Sequence, residues 1–164
     1  MASRIDFDAF VRARTGALAR TAYLLTGDAH LAEDLVQTAL FRAAKAWHRI
    51  EGDPEPYVRR ILYTQQVSWW RRRRVGEVAL GEYDAPLRPA GDPELRLSLE
   101  QALARLTTRQ RTVLVLRYFE DLTEVQTADV LGIAPGTVKS TGREALARLR
   151  TLAPELAEIG GGAS

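Results

Sequence analysis

The stretch from Val75 to Pro93 carries Gly76, Gly81, Pro86, Pro89, Gly91 and Pro93 and has almost no apolar periodicity. Glycine widens the accessible backbone, and proline removes a donor and fixes φ, so neither helix nor strand persists through such a run. It divides the 164-residue chain into two halves, each patterned with apolar residues at helical spacing. No segment alternates for long like a half-buried strand. The expected fold class is therefore all-α: two small helical domains, residues 5–74 and 94–152, joined by a flexible linker over 75–93. The tail 153–164 ends in Gly160-Gly161-Gly162-Ala163-Ser164 and is expected to be disordered.

Helix punctuation places the elements. In the first half a helix should run from about Asp6 to Thr26, broken by Gly27, with Asp28 capping the next helix to about Trp47. Its apolar positions Leu31, Leu35, Val36, Ala39, Leu40 and Ala43 share one face. After the turn Glu51-Gly52-Asp53, Pro54 suits the first position of a third helix, expected to reach about Arg74. In the second half a helix is expected from near Asp92-Pro93 to Leu106. Thr107 with Gln110 and Thr123 with Gln126 have the spacing of capping boxes. Leu131-Gly132 reads as a helix stop, and Pro135 starts a last helix reaching about Leu152.

Thr123–Leu131, the turn Gly132-Ile133-Ala134 and the helix from Pro135 have the plan of a helix-turn-helix. On its second helix Val138, Gly142, Ala145, Leu146 and Leu149 share a face expected to pack inward, Gly142 permitting close approach. Lys139, Ser140, Arg143, Glu144 and Arg148 form the opposite face, able to reach base edges and phosphates in a major groove. A plain helical hairpin with a solvated charged face fits the same pattern.

The third helix is different. Between Glu55 and Glu77 no acidic residue occurs, while Arg59, Arg60 and Arg71–Arg74 all fall there. Projected at 3.6 residues per turn, Val58, Ile61, Leu62, Gln65 and Trp69 face one way and Arg59, Tyr63, Gln66, Trp70 and Arg73 the other. Aromatics interleaved with arginines suit an unpaired strand, since bases stack on rings and guanidinium groups neutralise phosphate. The alternative is a solvated basic helix whose tryptophans pack on another element. On the second helix Glu33, Asp34, Gln37 and Phe41 cluster away from the apolar stripe, which fits either a protein-binding patch or a solvated face with one stray hydrophobe.

Composition excludes several classes. With no cysteine, and with only His30 and His48, far apart, disulfide frameworks, thiolate sites, zinc sites and histidine-based triads lack their residues. No paired catalytic set stands out, so no enzyme, metal or cofactor is expected. No signal peptide is evident, and no apolar run approaches the roughly 20 residues that span a bilayer, so a soluble cytoplasmic protein without membrane contact is expected. The net charge of +2 argues little by its sum; its clustering argues more.

Three segments in order resemble the extracytoplasmic-function (ECF) sigma factors of the sigma-70 family. Ala32-Glu33-Asp34-Leu35-Val36-Gln37 is similar to their AEDLVQ stretch. Leu106–Tyr118 is similar to the first conserved helix of their C-terminal domain, and Ala128–Ser140 to their helix-turn-helix. Trp69-Trp70 before Arg71–Arg74 resembles an actinobacterial, SigE-like subgroup. The resemblance covers about residues 5–152. It implies a region 2 domain over 5–74 and a region 4 domain over 94–152, in a factor that brings core RNA polymerase to promoters. Glu33, Asp34, Gln37 and Phe41 would dock on the clamp helices of the largest polymerase subunit, and the flap region would be a further contact. Arg59, Arg60, Tyr63, Gln66, Trp70, Arg71, Arg73 and Arg74 would recognise and open the −10 element. Thr137, Lys139, Ser140, Arg143, Glu144 and Arg148 would read the −35 duplex. An anti-sigma factor is a candidate partner. The sequence departs from the family's habit at Tyr57, where Trp is common, at Thr64, where Asn is, and at Ala134, where Ser is. A stand-alone helix-turn-helix regulator, independent of polymerase, is the alternative function.

Overall fold

The computed structural model of the protein describes residues 6–77 and 98–154, the side chains of 73–77 excepted. Every extended element among them is a helix: α1 (Phe7–Thr26), α2 (Ala29–Ala46), α3 (Glu55–Glu77), α4 (Leu99–Ala104), α5 (Thr108–Leu114), α6 (Glu124–Leu131) and α7 (Pro135–Leu152). The chain divides into two compact units, one through Trp69 and one from Trp70, so the division falls within α3.

The first unit is built on α1 packed against α2. Asp6 caps α1, its carboxylate accepting from the Asp8 amide at 3.2 Å, and Gly27 ends the helix in the left-handed region at φ 68°. One residue later the Asp28 carboxylate accepts from the His30 and Leu31 amides at 2.8 and 3.0 Å, so the chain turns and restarts at once. The inner face of α2 is mostly alanine (Ala32, Ala39, Ala43, Ala46), with Leu35 and Val36 between; small side chains let α1 come close with Phe10, Leu18, Ala22 and Leu25. Leu31 and Leu40 lie half-buried at the edges of that stripe. The Phe7 and Phe10 rings meet Trp47 at 5.0 and 5.3 Å, closing the far end.

Helix α3 starts one residue later than Pro54, whose carbonyl accepts from the Val58 amide at 3.0 Å. It continues to Glu77, past the expected end at Arg74, so the first three residues assigned to the linker are helical. The rest of that linker, the expected helix start near Asp92 and the glycine tail lie outside the described residues.

In the second unit α7 packs on α4, α5 and α6. Both expected capping boxes form: the Thr107 hydroxyl accepts from the Gln110 amide at 3.1 Å and the Thr123 hydroxyl from the Gln126 amide at 3.0 Å, each glutamine reaching back. A third, Ser98 with Gln101, starts α4. Leu103, Leu106, Val113–Leu116, Leu131, Val138, Ala145 and Leu149 form the core. Arg111 is buried among them at 1% exposure, and burial pushes its pKa down to about 10. After Leu114 the helix widens into one π-helical turn, Val115–Phe119, where the Glu120 amide donates to the Val115 carbonyl at 3.0 Å.

Candidate nucleic-acid interface

Helix α7 presents the face read from its sequence. Val138, Thr141, Gly142, Ala145 and Leu149 are buried, and Leu146 is half-buried. Lys139, Ser140, Arg143 and Glu144 are exposed, Thr137 and Arg148 partly so. Gly132 turns the chain at φ 69°, its amide donating to the Ala128 carbonyl at 2.8 Å, and Pro135 opens the helix. Ala134 stands at the cap position in extended conformation with no side-chain bond to offer. Its carbonyl accepts from the Thr137 and Val138 amides at 3.0 and 3.1 Å, which is all that the capping residue supplies to the first turn of α7.

Helix α3 departs from its expected orientation. Val58 and Leu62 are buried as expected, but Tyr63, Gln66 and Trp70, placed outward by periodicity, are 6%, 3% and 4% exposed. Ile61, Gln65 and Trp69, placed inward, are only half-buried. The helix is turned by roughly a quarter turn from the expectation. The reason is that long amphipathic side chains go inward when a partner waits for their polar end. Gln66 Nε2 donates to the Leu25 carbonyl of α1 at 3.4 Å, and the rings of Tyr63 and Trp70 carry large apolar areas out of water. Arg59 is drawn in as well: its Nε donates to Glu55 Oε1 at 2.8 Å and its Nη1 to the Thr21 hydroxyl at 2.8 Å. Arg14 of α1 meets the same carboxylate through two bonds of 2.7 Å. Bidentate bonding to Arg14 holds the Glu55 carboxyl below the usual carboxylate range, with Arg59 assisting and burial opposing.

The exposed residues of α3 are instead Pro56, Tyr57, at 42% exposure, Arg60, Arg71 and Arg72, with Ile61, Thr64, Gln65, Ser68 and Trp69 partly open. Of the eight residues expected on the −10 side, Arg60 and Arg71 lie on this surface; Arg59, Tyr63, Gln66 and Trp70 do not; the side chains of Arg73 and Arg74 lie outside the described residues. Helical periodicity did not single out Tyr57, Thr64 or Ser68. At about 100° per residue Tyr57 and Thr64 fall on one face with Arg60.

On α2, Glu33, Asp34 and Gln37 are exposed and Phe41 is 62% exposed, with Gln37 Nε2 donating to Glu33 at 3.3 Å and Lys45 Nζ lying 4.5 Å from the Phe41 ring centre. The four residues expected to cluster do share one outer face. On α6, Val125 is 67% exposed, which no spacing argument had singled out. Among the described residues no group of three metal-ligating side chains occurs, and no helix is long and apolar enough to cross a membrane.

Comparison with known proteins identifies the two units. A sigma-70 region 2 model matches residues 10–75 and a sigma-70 region 4 model matches residues 96–149, the two-module plan of a sigma-type initiation factor. The chain is 39% identical over 154 residues to the RNA polymerase sigma-E factor of Streptomyces coelicolor, covering 92% of this chain and 87% of that one. It is 36% identical over 153 residues to the ECF RNA polymerase sigma factor SigL of Mycobacterium tuberculosis, covering 84% and 82%. A solved structure of the sigma factor RpoE in complex with the anti-sigma factor NepR, from Bartonella quintana, is similar at a TM-score of 0.63 and 27% identity, covering 90% of this chain and 96% of that one. The chain belongs to the sigma-70 family, in its ECF group: a non-catalytic factor that directs promoter recognition by RNA polymerase and transcription initiation.

Proposed function

We propose a division of that task among three surfaces. Glu33, Asp34, Gln37 and Phe41 dock on the clamp helices of the largest polymerase subunit, with the flap region as a second polymerase contact. Tyr57, Arg60, Thr64 and Ser68 meet the −10 element as it opens. Thr137, Lys139, Ser140, Arg143, Glu144 and Arg148 read the −35 duplex. The observation that carries this reading is the separation of faces on α7, where Val138, Ala145 and Leu149 turn inward and Lys139, Ser140 and Arg143 stay in solvent. A stand-alone regulator would need only that helix; the exposed aromatic-basic face of α3 and the Phe41 patch favour the polymerase-dependent reading. Opening costs base stacking, about 1.4 kcal/mol per step on average, and capture of one unstacked strand offsets it. Two modest DNA contacts held by one polymerase reinforce each other through effective concentration. The complex named for the Bartonella relative supports an anti-sigma factor as a further partner, and the cytoplasm is the compartment where polymerase and promoter are found.

The test is promoter selection with core polymerase from a library randomised at both elements. Arg143→Ala is expected to relax preference at one or two −35 positions, by about 1–3 kcal/mol for each base that the guanidinium no longer reads, and to leave the −10 preference intact. A changed −10 preference with an unchanged −35 preference would show the two elements assigned to the wrong domains.

A further inference from the structure

Helices α1 and α3 are joined by a polar seam. Arg14 pairs with Glu55 through two bonds of 2.7 Å, the Thr21 hydroxyl accepts from Arg59 at 2.8 Å, and the Leu25 carbonyl accepts from Gln66 at 3.4 Å. Positions 14, 21 and 25 ascend with 55, 59 and 66, so the two helices run in the same direction along it. Arg59 also bonds Glu55 at 2.8 Å, which makes Glu55 the hub: one carboxylate receives both arginines. Its side chain is 18% exposed, as against 43% for Arg14 and 19% for Arg59.

The seam has a fixed relation to the exposed surface. At about 100° per residue, Glu55, Arg59 and Gln66 lie within about 40° of one another, and Tyr57, Arg60 and Thr64 lie together on roughly the opposite side. Aliphatic packing alone resists rotation weakly, because its contacts are not directional. A bidentate guanidinium–carboxylate pair is directional and tolerates little twist. A twist of about 20° would carry a side-chain tip about 6 Å from the helix axis through about 2 Å, enough to unseat a stacked base.

We propose that Glu55 is a positioning residue for promoter opening: through Arg14 and Arg59 it sets the rotation of α3 and so the direction in which Tyr57, Arg60 and Thr64 present themselves to DNA. This rests on the reading of the outer face of α3 given above. Arg59 then acts on the promoter only through that seam, and contacts no phosphate.

The experiment uses full-length protein with core polymerase and measures open-complex formation on a duplex promoter, core affinity and helicity. The variants are Glu55→Gln, the milder Arg14→Gln, the outer-face pair Tyr57→Ala with Arg60→Ala, and Glu55→Gln added to that pair. Glu55→Gln is expected to keep core affinity and helicity and to slow opening about three- to tenfold, within the range over which contacting residues couple. Added to the outer-face pair it should slow opening by less than about twofold further, because the groups it positions are gone. A merely structural role would repeat the full loss in that background, which overturns the proposal. So does normal opening in Glu55→Gln while the outer-face pair is impaired, with the surface assignment left standing. Normal opening in the outer-face pair removes the surface assignment itself and the proposal with it. If Glu55→Gln loses helicity, Arg14→Gln is judged by the same comparison.

Discussion

Replacing Gly142 by alanine should stabilise the second unit. The residue is buried in the middle of α7, where glycine usually implies that something passes too close for a methyl group. Here a Cβ built on Gly142 would meet only Val113 Cγ1, at 3.7 Å, an ordinary van der Waals distance. The close approach expected from the sequence is therefore not needed. Alanine in a helix interior is about 0.8–1.0 kcal/mol more favourable than glycine. The added methyl would also be buried, worth at most about 0.8 kcal/mol more. The sum is about 1–2 kcal/mol, and each kcal/mol raises the melting transition by about 4–8 °C for a domain of this size. Thermal unfolding followed by circular dichroism measures it, and promoter selection should be unchanged because Gly142 faces α5 rather than solvent. A lowered melting temperature would refute the reasoning, since it would mean that α7 and α5 lie closer than their backbones indicate.

Two further outcomes follow from the caps and charges. Ala134→Ser should stabilise α7 by about 1 kcal/mol, because Ala134 already has the extended conformation of a capping residue and lacks only the hydroxyl; an unchanged thermal transition in the second unit would argue against an uncapped start. Glu55 has a folded-state pKa held below the ordinary 4.5, mainly by Arg14, so its stabilisation is present above that value and is lost as pH falls through the lower folded value. Acid titration of unfolding from about pH 5 to pH 3 should cost the native chain more than Glu55→Gln, and parallel curves would contradict the ion-pair account.

The legible parts of the fold are those governed by local chemistry. Asp28, Thr107 and Thr123 announce helix starts because a capping bond spans only two or three residues, and all three form. Ser98 with Gln101 has the same spacing, yet the helix start expected from sequence is Asp92-Pro93 upstream, which passes over the Ser98 box. The outward face of α7 is readable because its core-facing side chains are mainly aliphatic and its solvent-facing ones mainly ionic, so residue type settles direction. Helix α3 fails that condition. Tyr63 and Gln66 can be solvated or buried with equal local justification, and what decides for Gln66 is the Leu25 carbonyl, 41 residues away in sequence. Arg59 resembles a phosphate ligand for the same reason: its carboxylate is at i−4 and its hydroxyl at i−38, and only the first is visible locally. The π-helical turn at Val115–Phe119 leaves no compositional mark.

If α3 both packs and meets DNA, as proposed, it cannot divide its polar residues by type, since arginine, tyrosine and glutamine suit either task. Helix α3 divides them by angle. Polar groups on its seam edge are satisfied inside the protein by α1 and by one another, where an unmet partner would cost about 1–3 kcal/mol. On the opposite edge, Tyr57 and Arg60 are exposed. Tyr57, which is exposed, and Thr64, which is half-buried, both lie on that edge. On the proposed assignment, substitution there is expected to alter what the factor recognises without touching the bonds that hold α3 in place, so that promoter preference diverges while the fold stays as it is.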